Sequence, residues 1–351
     1  MSQHLFAAFA QSVATRTEKP ALFWAREQFS YGRILQQSMW VGERLRTQLE
    51  VQPGDRVAIW LRNRPEFVAA LFGILAAGGV AVPINNFLKP NEVAYMLEDA
   101  GVKVVITEDS SPEALSALQS LLPQIRLLRV EDIPADPATV AFQPANRTQS
   151  DLAVLIYTSG TTGKPKGAML THGNLLHNVE SCRQILQIVD LDRLVLLLPM
   201  FHSFMLTVCI FTPLATGAGI VLIKSVQPFK LALREIIRHR ATILVGIPQL
   251  FQAMAQATLP FWLPWVLRLR MAISGAAPLP RETLEAFERK YRFPLLEGYG
   301  LSEAAPVVAF NPLRGVRKPG SVGLPVPDVQ VKIVDDHGQE LPANEIGRAH
   351  V

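Results

Sequence analysis

Residues 194–223 contain no Asp, Glu, Lys or Arg. A stretch this apolar has two destinations. It can cross a bilayer, which takes ~20 consecutive apolar residues, or it can lie inside a folded core. Pro199, His202, Pro213, Gly217 and Gly219 break it into shorter pieces. The pattern predicts a strand over 194–198, a buried helix over 204–214 and a second strand over 219–223, covered on both faces as in a parallel sheet. Such a chain needs a large interior, and 351 residues, 49% hydrophobic and 18% charged, provide one. The same composition argues against disorder, which requires low hydrophobicity and high charge.

The rest of the chain supports this choice. Strands are expected over 56–61, 80–84 and 103–107, with helices over 65–77 and 91–100 between them. Gly78-Gly79 stops the first helix and Gly101 the second. Strand alternating with helix is the pattern of a parallel α/β sheet. An opening helix carries Leu5, Phe6 and Phe9 on one face. Residues 111–149, rich in Pro, Ala and Asp, read as a connecting excursion with one helix. A buried strand follows at 152–157. Further on, helices are expected over 231–239, 249–256 and 281–291, and strands over 241–245, 270–274 and 294–299. From Lys318 the periodicity changes, and 321–334 reads as a small β unit. The division expected is 1–190, 191–317 and 318–351.

The net charge of +4 is spread along the chain, with no basic block interleaved with aromatics. That favours anionic small ligands and argues against nucleic acid as a partner. Cys182 and Cys209 stand alone among apolar residues, which reads as a reducing, cytoplasmic setting. The N-terminus has no basic start followed by an apolar core, so no secretory signal is expected. Residues 259–267 are apolar and aromatic, broken by Pro260 and Pro264. A loop packed over the core is the favoured reading, with peripheral contact at a membrane surface as the alternative.

The sharpest chemical feature follows the strand at 152–157: Thr158-Ser159-Gly160-Thr161-Thr162-Gly163-Lys164-Pro165-Lys166-Gly167. Glycines let backbone N–H groups approach an anion, hydroxyls add donors, and lysine supplies a point charge for phosphate oxygens. A P-loop would need Ser or Thr after Gly163-Lys164. Pro165 stands there instead, so that reading fails. Two later segments are weaker alone: Ser274-Gly275-Ala276-Ala277-Pro278-Leu279, and Glu297-Gly298-Tyr299-Gly300-Leu301-Ser302-Glu303. Tyrosine offers a flat face to a purine. Glu303 is a hard oxygen ligand of the kind magnesium takes.

In this order the three segments resemble the signatures of the AMP-forming adenylate superfamily. That superfamily includes acyl-CoA synthetases, firefly luciferase-like enzymes and peptide-synthetase adenylation domains. The run Phe201-His202-Ser203-Phe204 is similar to that of long-chain fatty acyl-CoA and acyl-carrier-protein synthetases. The resemblance covers nearly the whole chain and extends to Gly320-Ser321-Val322-Gly323. It implies the large N-terminal domain of that fold: two stacked α/β subdomains with parallel-rich sheets plus the start of a small β unit.

The resemblance also implies roles. Thr158, Ser159, Gly160, Thr161, Thr162, Gly163 and Lys166 would grip the outer phosphates of ATP. Gly275, Ala276, Glu297, Gly298, Tyr299, Gly300 and Ser302 would hold the adenosine, and Glu303 would take Mg²⁺. Alanine at 276 departs from the usual second glycine, and serine at 302 from the usual threonine. Phe201, His202, Gly246 and Ile247 would border the acyl pocket, with His202, Glu303 and Lys166 as the catalytic set. The absence of an acidic group after His202 favours a fatty acid over an amino acid. The implied reaction makes acyl-AMP, then a thioester with coenzyme A or the phosphopantetheine of an acyl-carrier protein. An adenylation domain for an aryl or amino acid, and a non-catalytic nucleotide-binding protein, are the alternatives.

Relatives continue past this chain into a C-terminal domain with a catalytic lysine. The chain as given is therefore expected to be an N-terminal part that binds ATP and supports little turnover. Its last residues, Glu345-Ile346-Gly347-Arg348-Ala349-His350-Val351, back-translate to a sequencing adapter followed by a stop. Read-through from Arg348, with Ile346 and Gly347 included, is an expectation that resequencing the locus tests.

Overall fold

The computed structural model describes residues 4–109, 112–158, 163–225, 229–258 and 263–351. Strands β1 (Pro20–Trp24), β2 (Glu27–Ser30), β3 (Arg56–Trp60), β4 (Val80–Pro83), β5 (Val104–Thr107), β6 (Arg126–Arg129), β7 (Leu152–Thr158) and β8 (Lys166–Thr171) come first. They are followed by β9 (Arg193–Leu196), β10 (Gly219–Leu222), β11 (Ile243–Gly246), β12 (Met271–Ser274), β13 (Leu295–Gly300) and β14 (Val307–Phe310). The short β15 (Leu324–Pro325), β16 (Lys332–Val334) and β17 (Arg348–His350) end the chain. The helices are α1 (Leu5–Ala14), α2 (Tyr31–Thr47), α3 (Pro65–Ala76), α4 (Pro90–Asp99), α5 (Pro112–Leu121), α6 (His172–Ile185), α7 (Thr212–Thr216), α8 (Phe229–Arg238), α9 (Pro248–Gln256), α10 (Leu263–Val266) and α11 (Arg281–Tyr291).

The strands form two large sheets and one small one. A six-stranded sheet runs β6-β5-β3-β4-β7-β8, parallel except for β8. A nine-stranded sheet runs β15-β14-β13-β12-β11-β9-β10-β1-β2, with parallel strands from β13 to β1. Strands β16 and β17 pair apart from both.

Alternation along the strands explains the layering, because successive side chains point to opposite faces. In β3, Val57 and Ile59 join one buried cluster while Ala58 and Trp60 join another. In β11, Ile243 and Val245 join that first cluster while Leu244 faces a third. The shared cluster also holds Phe9 of α1, Val41 of α2, Phe72 of α3 and Val179 of α6. Those helices therefore lie between the sheets. Helices α4 and α5 cover the outer face of the six-stranded sheet, and α8, α9 and α11 that of the nine-stranded one. The order is helix, sheet, helix, sheet, helix. Strands buried on both sides have little room for polar residues, as the sequence shows.

The charge-free stretch becomes β9, a π-helical segment Met205–Phe211 continued by α7, and β10. No helix among the described residues is long and apolar enough to cross a membrane. Three elements extend the sequence reading. The hairpin β1–β2 and helix α2 fill residues 20–47, and the hairpin adds to the nine-stranded sheet through β10. A border near residue 191 stays a proposal, since that sheet takes strands from both sides of it. The excursion over 111–149 contains β6 as well as α5. Lys166 and Gly167, expected within one turn, begin β8.

Candidate active site

The carboxyl ends of parallel strands are where α/β proteins leave a crevice for ligands. Here a cavity of about 370 Å³ opens past β9, β11, β12 and β13. Its lining includes Leu198, His202, Ser203, Phe204 and Met205 from the segment after β9, and Ile247 after β11. Gly275 and Ala276 follow β12, and Gly298, Tyr299 and Gly300 belong to β13. Leu301 and Ser302 lead into the turn that carries Glu303, and Val307 closes the far side.

Strand β7 brings Thr158 to this opening. The Thr158 hydroxyl donates to Glu303 Oε1 at 3.3 Å, which joins the end of one sheet to a turn of the other. Lys166 lies opposite Thr158 in the β7–β8 register and is exposed. Gly163 has φ +86°, a conformation that favours glycine. Ser159, Gly160, Thr161 and Thr162 lie outside the described residues. So do Leu259 to Trp262 of the apolar segment.

Helix α4 anchors this hairpin, through residues that sequence reasoning passed over. The Tyr157 hydroxyl donates to Asp99 Oδ2 at 2.6 Å. Burial and that carboxylate push the Tyr157 pKa upward. Lys164 Nζ lies 5.7 Å from the centroid of the Tyr95 ring, within cation–π range. Tyr95 and Asp99 are four apart on a helix, so they share a face. That spacing was the available signal.

His202 stands exposed at the cavity wall, with its ring 4.3 Å from that of buried Phe201. Partial desolvation lowers its pKa, and its open side to solvent limits the effect. At neutral pH the ring is uncharged and can accept or donate a hydrogen bond. Ser203 and Ser302 share a hydrogen bond of 2.9 Å, so the segment after β9 and the turn after β13 meet directly.

Three site residues named from the sequence lie behind the lining. Phe201 is buried, and Gly246 packs against Leu250 and Phe251. Glu297 turns away from the cavity and accepts the Leu279 N–H at 2.9 Å, which fixes the loop after β12.

No group of three His, Cys, Asp or Glu side chains among the described residues could hold a metal ion. Glu303 nevertheless fits Mg²⁺. That ion keeps several waters and takes one or two carboxylates plus phosphate oxygens, not an all-protein cage. An exposed carboxylate beside a hydroxyl at a cavity rim matches this donor set.

Residues 9–351 match the AMP-binding enzyme family. The chain belongs to that family. This AMP-binding enzyme is 31% identical to a long-chain-fatty-acid–CoA ligase of Bacillus subtilis (strain 168) over 95% of its length, and it spans 66% of that relative. Its fold matches an anthranilate CoA ligase, AuaEII, in complex with anthranoyl-AMP: TM-score 0.90, 25% identity, 99% of this chain and 68% of the other. It also matches ATP-bound MatB from Rhodopseudomonas palustris, with TM-score 0.88 and 29% identity over 99% of this chain and 70% of the other.

Proposed function

We propose that this AMP-binding enzyme carries the ATP- and acid-binding part of a ligase that activates a fatty acid as acyl-AMP and then as a thioester, releasing pyrophosphate and AMP. The supporting observation is the 3.3 Å bond from Thr158 to Glu303 at the rim of a cavity bordered by Tyr299 and His202. It brings hydroxyl, carboxylate, aromatic face and imidazole together from two sheets.

The residues divide the work. Tyr299 stacks the purine, and Gly298 and Gly300 leave the backbone open to its edge. The phosphate segment with Lys166 holds the β- and γ-phosphates. Mg²⁺, held by Glu303, would supply charge neutralisation on the phosphate oxygens. His202 orients the carboxylate of the acid toward the α-phosphorus. Backbone and hydroxyl donors of the phosphate segment would stabilise the charge that develops on the phosphoryl oxygens. The thiol that completes the reaction is coenzyme A, with an acyl-carrier-protein phosphopantetheine as the alternative acceptor.

A second reading, an aryl or short acyl acid, is favoured by the cavity volume. About 370 Å³ is near the low end of ~300–1,000 Å³ for ligand pockets, and the purine must share it. The first test is calorimetric titration with ATP, with and without Mg²⁺. Binding should depend on magnesium, and Glu303→Gln should weaken the magnesium-bound form about tenfold. Magnesium-independent or absent binding would overturn the reading. A panel of acids presented with ATP separates fatty from aryl substrates.

A further inference from the structure

Past the end of β9 a side chain takes over backbone hydrogen bonding. Asn63, in the loop between β3 and α3, donates from Nδ2 to the Leu198 carbonyl at 2.9 Å. It accepts the Met200 N–H on Oδ1, also at 2.9 Å. A single amide thus takes both the donor and the acceptor that flank Pro199. His202 lies two residues further, and its own N–H reaches the Pro199 carbonyl at 3.3 Å.

The opposite wall repeats the device. Asn178, buried on α6, donates to the Val307 carbonyl at 2.7 Å and accepts the Val307 N–H at 3.1 Å. Val307 begins β14, immediately past the turn that carries Ser302 and Glu303. A carboxamide has one carbonyl acceptor and an amino donor, so it can mimic a neighbouring peptide unit. Both amides come from elements outside the nine-stranded sheet, and both grip that sheet's site segments at two points.

We propose that Asn63 and Asn178 are positioning residues with separate duties: Asn63 fixes the wall that presents His202 to the acid, and Asn178 fixes the wall that presents Ser302 and Glu303 to the nucleotide. This assignment of walls rests on the function proposed above. A buried amide that satisfied only local polarity could sit on any backbone segment. These two sit on the two segments that bring functional side chains to the cavity, and Ser203 and Ser302 join those segments to each other.

The test compares Asn63→Ala and Asn178→Ala with the unaltered chain by calorimetry. One ligand is Mg²⁺–ATP. The other is a stable acyl-adenylate mimic with a sulfamate in place of the phosphate. Each lost clamp leaves a backbone donor and acceptor unpaired, enough for about a tenfold change. Asn63→Ala should keep its affinity for Mg²⁺–ATP and lose about tenfold or more for the mimic relative to ATP. Asn178→Ala should lose Mg²⁺–ATP affinity by a similar factor.

A second readout needs no ligand. In Asn63→Ala the freed segment should hydrate His202, and its NMR titration midpoint should rise toward that of an ordinary histidine. In Asn178→Ala it should stay in place. Should Asn178→Ala not fold, Asn178→Ser keeps a hydroxyl against Val307 and takes its place. Equal losses for both ligands in both variants, or a His202 midpoint unmoved by Asn63→Ala, would overturn the division of duties. A chain that binds no nucleotide at all would overturn the function instead, and the His202 titration would still decide the clamp.

Discussion

The two walls of the cavity are built by different means. The side proposed for the nucleotide, from Gly298 to Val307, presents Tyr299 and Ser302 on strand and turn segments that its glycines pack closely. A methyl group added to Gly300 would run into the Pro306 carbonyl oxygen. The side proposed for the acid, from Leu198 to Met205 with Ile247, is made of side chains. There a methyl group on Gly246 would meet the tip of Leu250 at 2.7 Å and the ring of Phe251 at 3.1 Å. Backbone cannot yield without moving the sheet, whereas a leucine tip can turn. One wall therefore dictates its residues and the other only its volume.

Paired substitutions put that contrast at risk. Gly300→Ala should destabilise the fold by more than about 3 kcal/mol, while Gly246→Ala should lose about 1 kcal/mol, because only the first displaces backbone. Urea unfolding of both variants measures the gap. Equal losses would mean that the nucleotide wall can relax, and the comparison would fail.

The same contrast decides what could be read from the sequence. The segment from Gly298 to Ser302 was legible through its resemblance to a known signature, and the structure brings it to the cavity, whereas Glu297, named with it, turns away toward Leu279. The strands at 56–60 and 80–83 were legible because both of their faces are buried. The acyl wall could be read only as apolar. Nothing in its spacing announces that Met205–Phe211 adopts a π-helix. Hairpin β1–β2 escaped notice because its strands are short and β2 is half polar, with Glu27 and Gln28 exposed. Asn63 and Asn178 were invisible for a different reason. Their partners lie 135 and 129 residues away, and no local pattern encodes such a pairing.

A histidine beneath the walls extends the comparison to pH. His202, on the acyl wall, is exposed. His172, at the start of α6, is buried, and its Nδ1 accepts the Leu5 N–H at 3.3 Å, tying α1 to α6. Burial, then His4 and Arg147, hold its pKa down to about 4, while Asp151 pulls the other way. The unfolded chain takes up this proton near pH 6.5, before the folded one does. Stability from this group is therefore complete above pH 6.5 and declines as pH falls toward 4, by on the order of 3 kcal/mol. Urea midpoints across that window should show the decline, and His172→Asn, which keeps an acceptor, should flatten it. A slope unchanged by the substitution would place the proton uptake elsewhere. Neither wall contributes to this term, so ligand affinity measured at pH 7 should not follow it.

The smallest effect bears on Ala276, in the segment after β12 that borders the same cavity. Ala276 lines the cavity with φ +67°, in the left-handed region where a β-carbon crowds the following carbonyl and costs ~1–2 kcal/mol. Gly275 before it faces the Phe204 ring, at 3.0 Å from where a β-carbon would be, and Pro278 follows two residues on. Ala276→Gly should relieve the strain and give back part of it as unfolded-chain freedom, for a net gain of about 0.5–1 kcal/mol. Thermal unfolding should therefore shift upward by a few degrees at most. A loss of stability would mean that the Ala276 methyl group packs productively against the cavity rim, and that this wall too uses side chains as the acyl wall does.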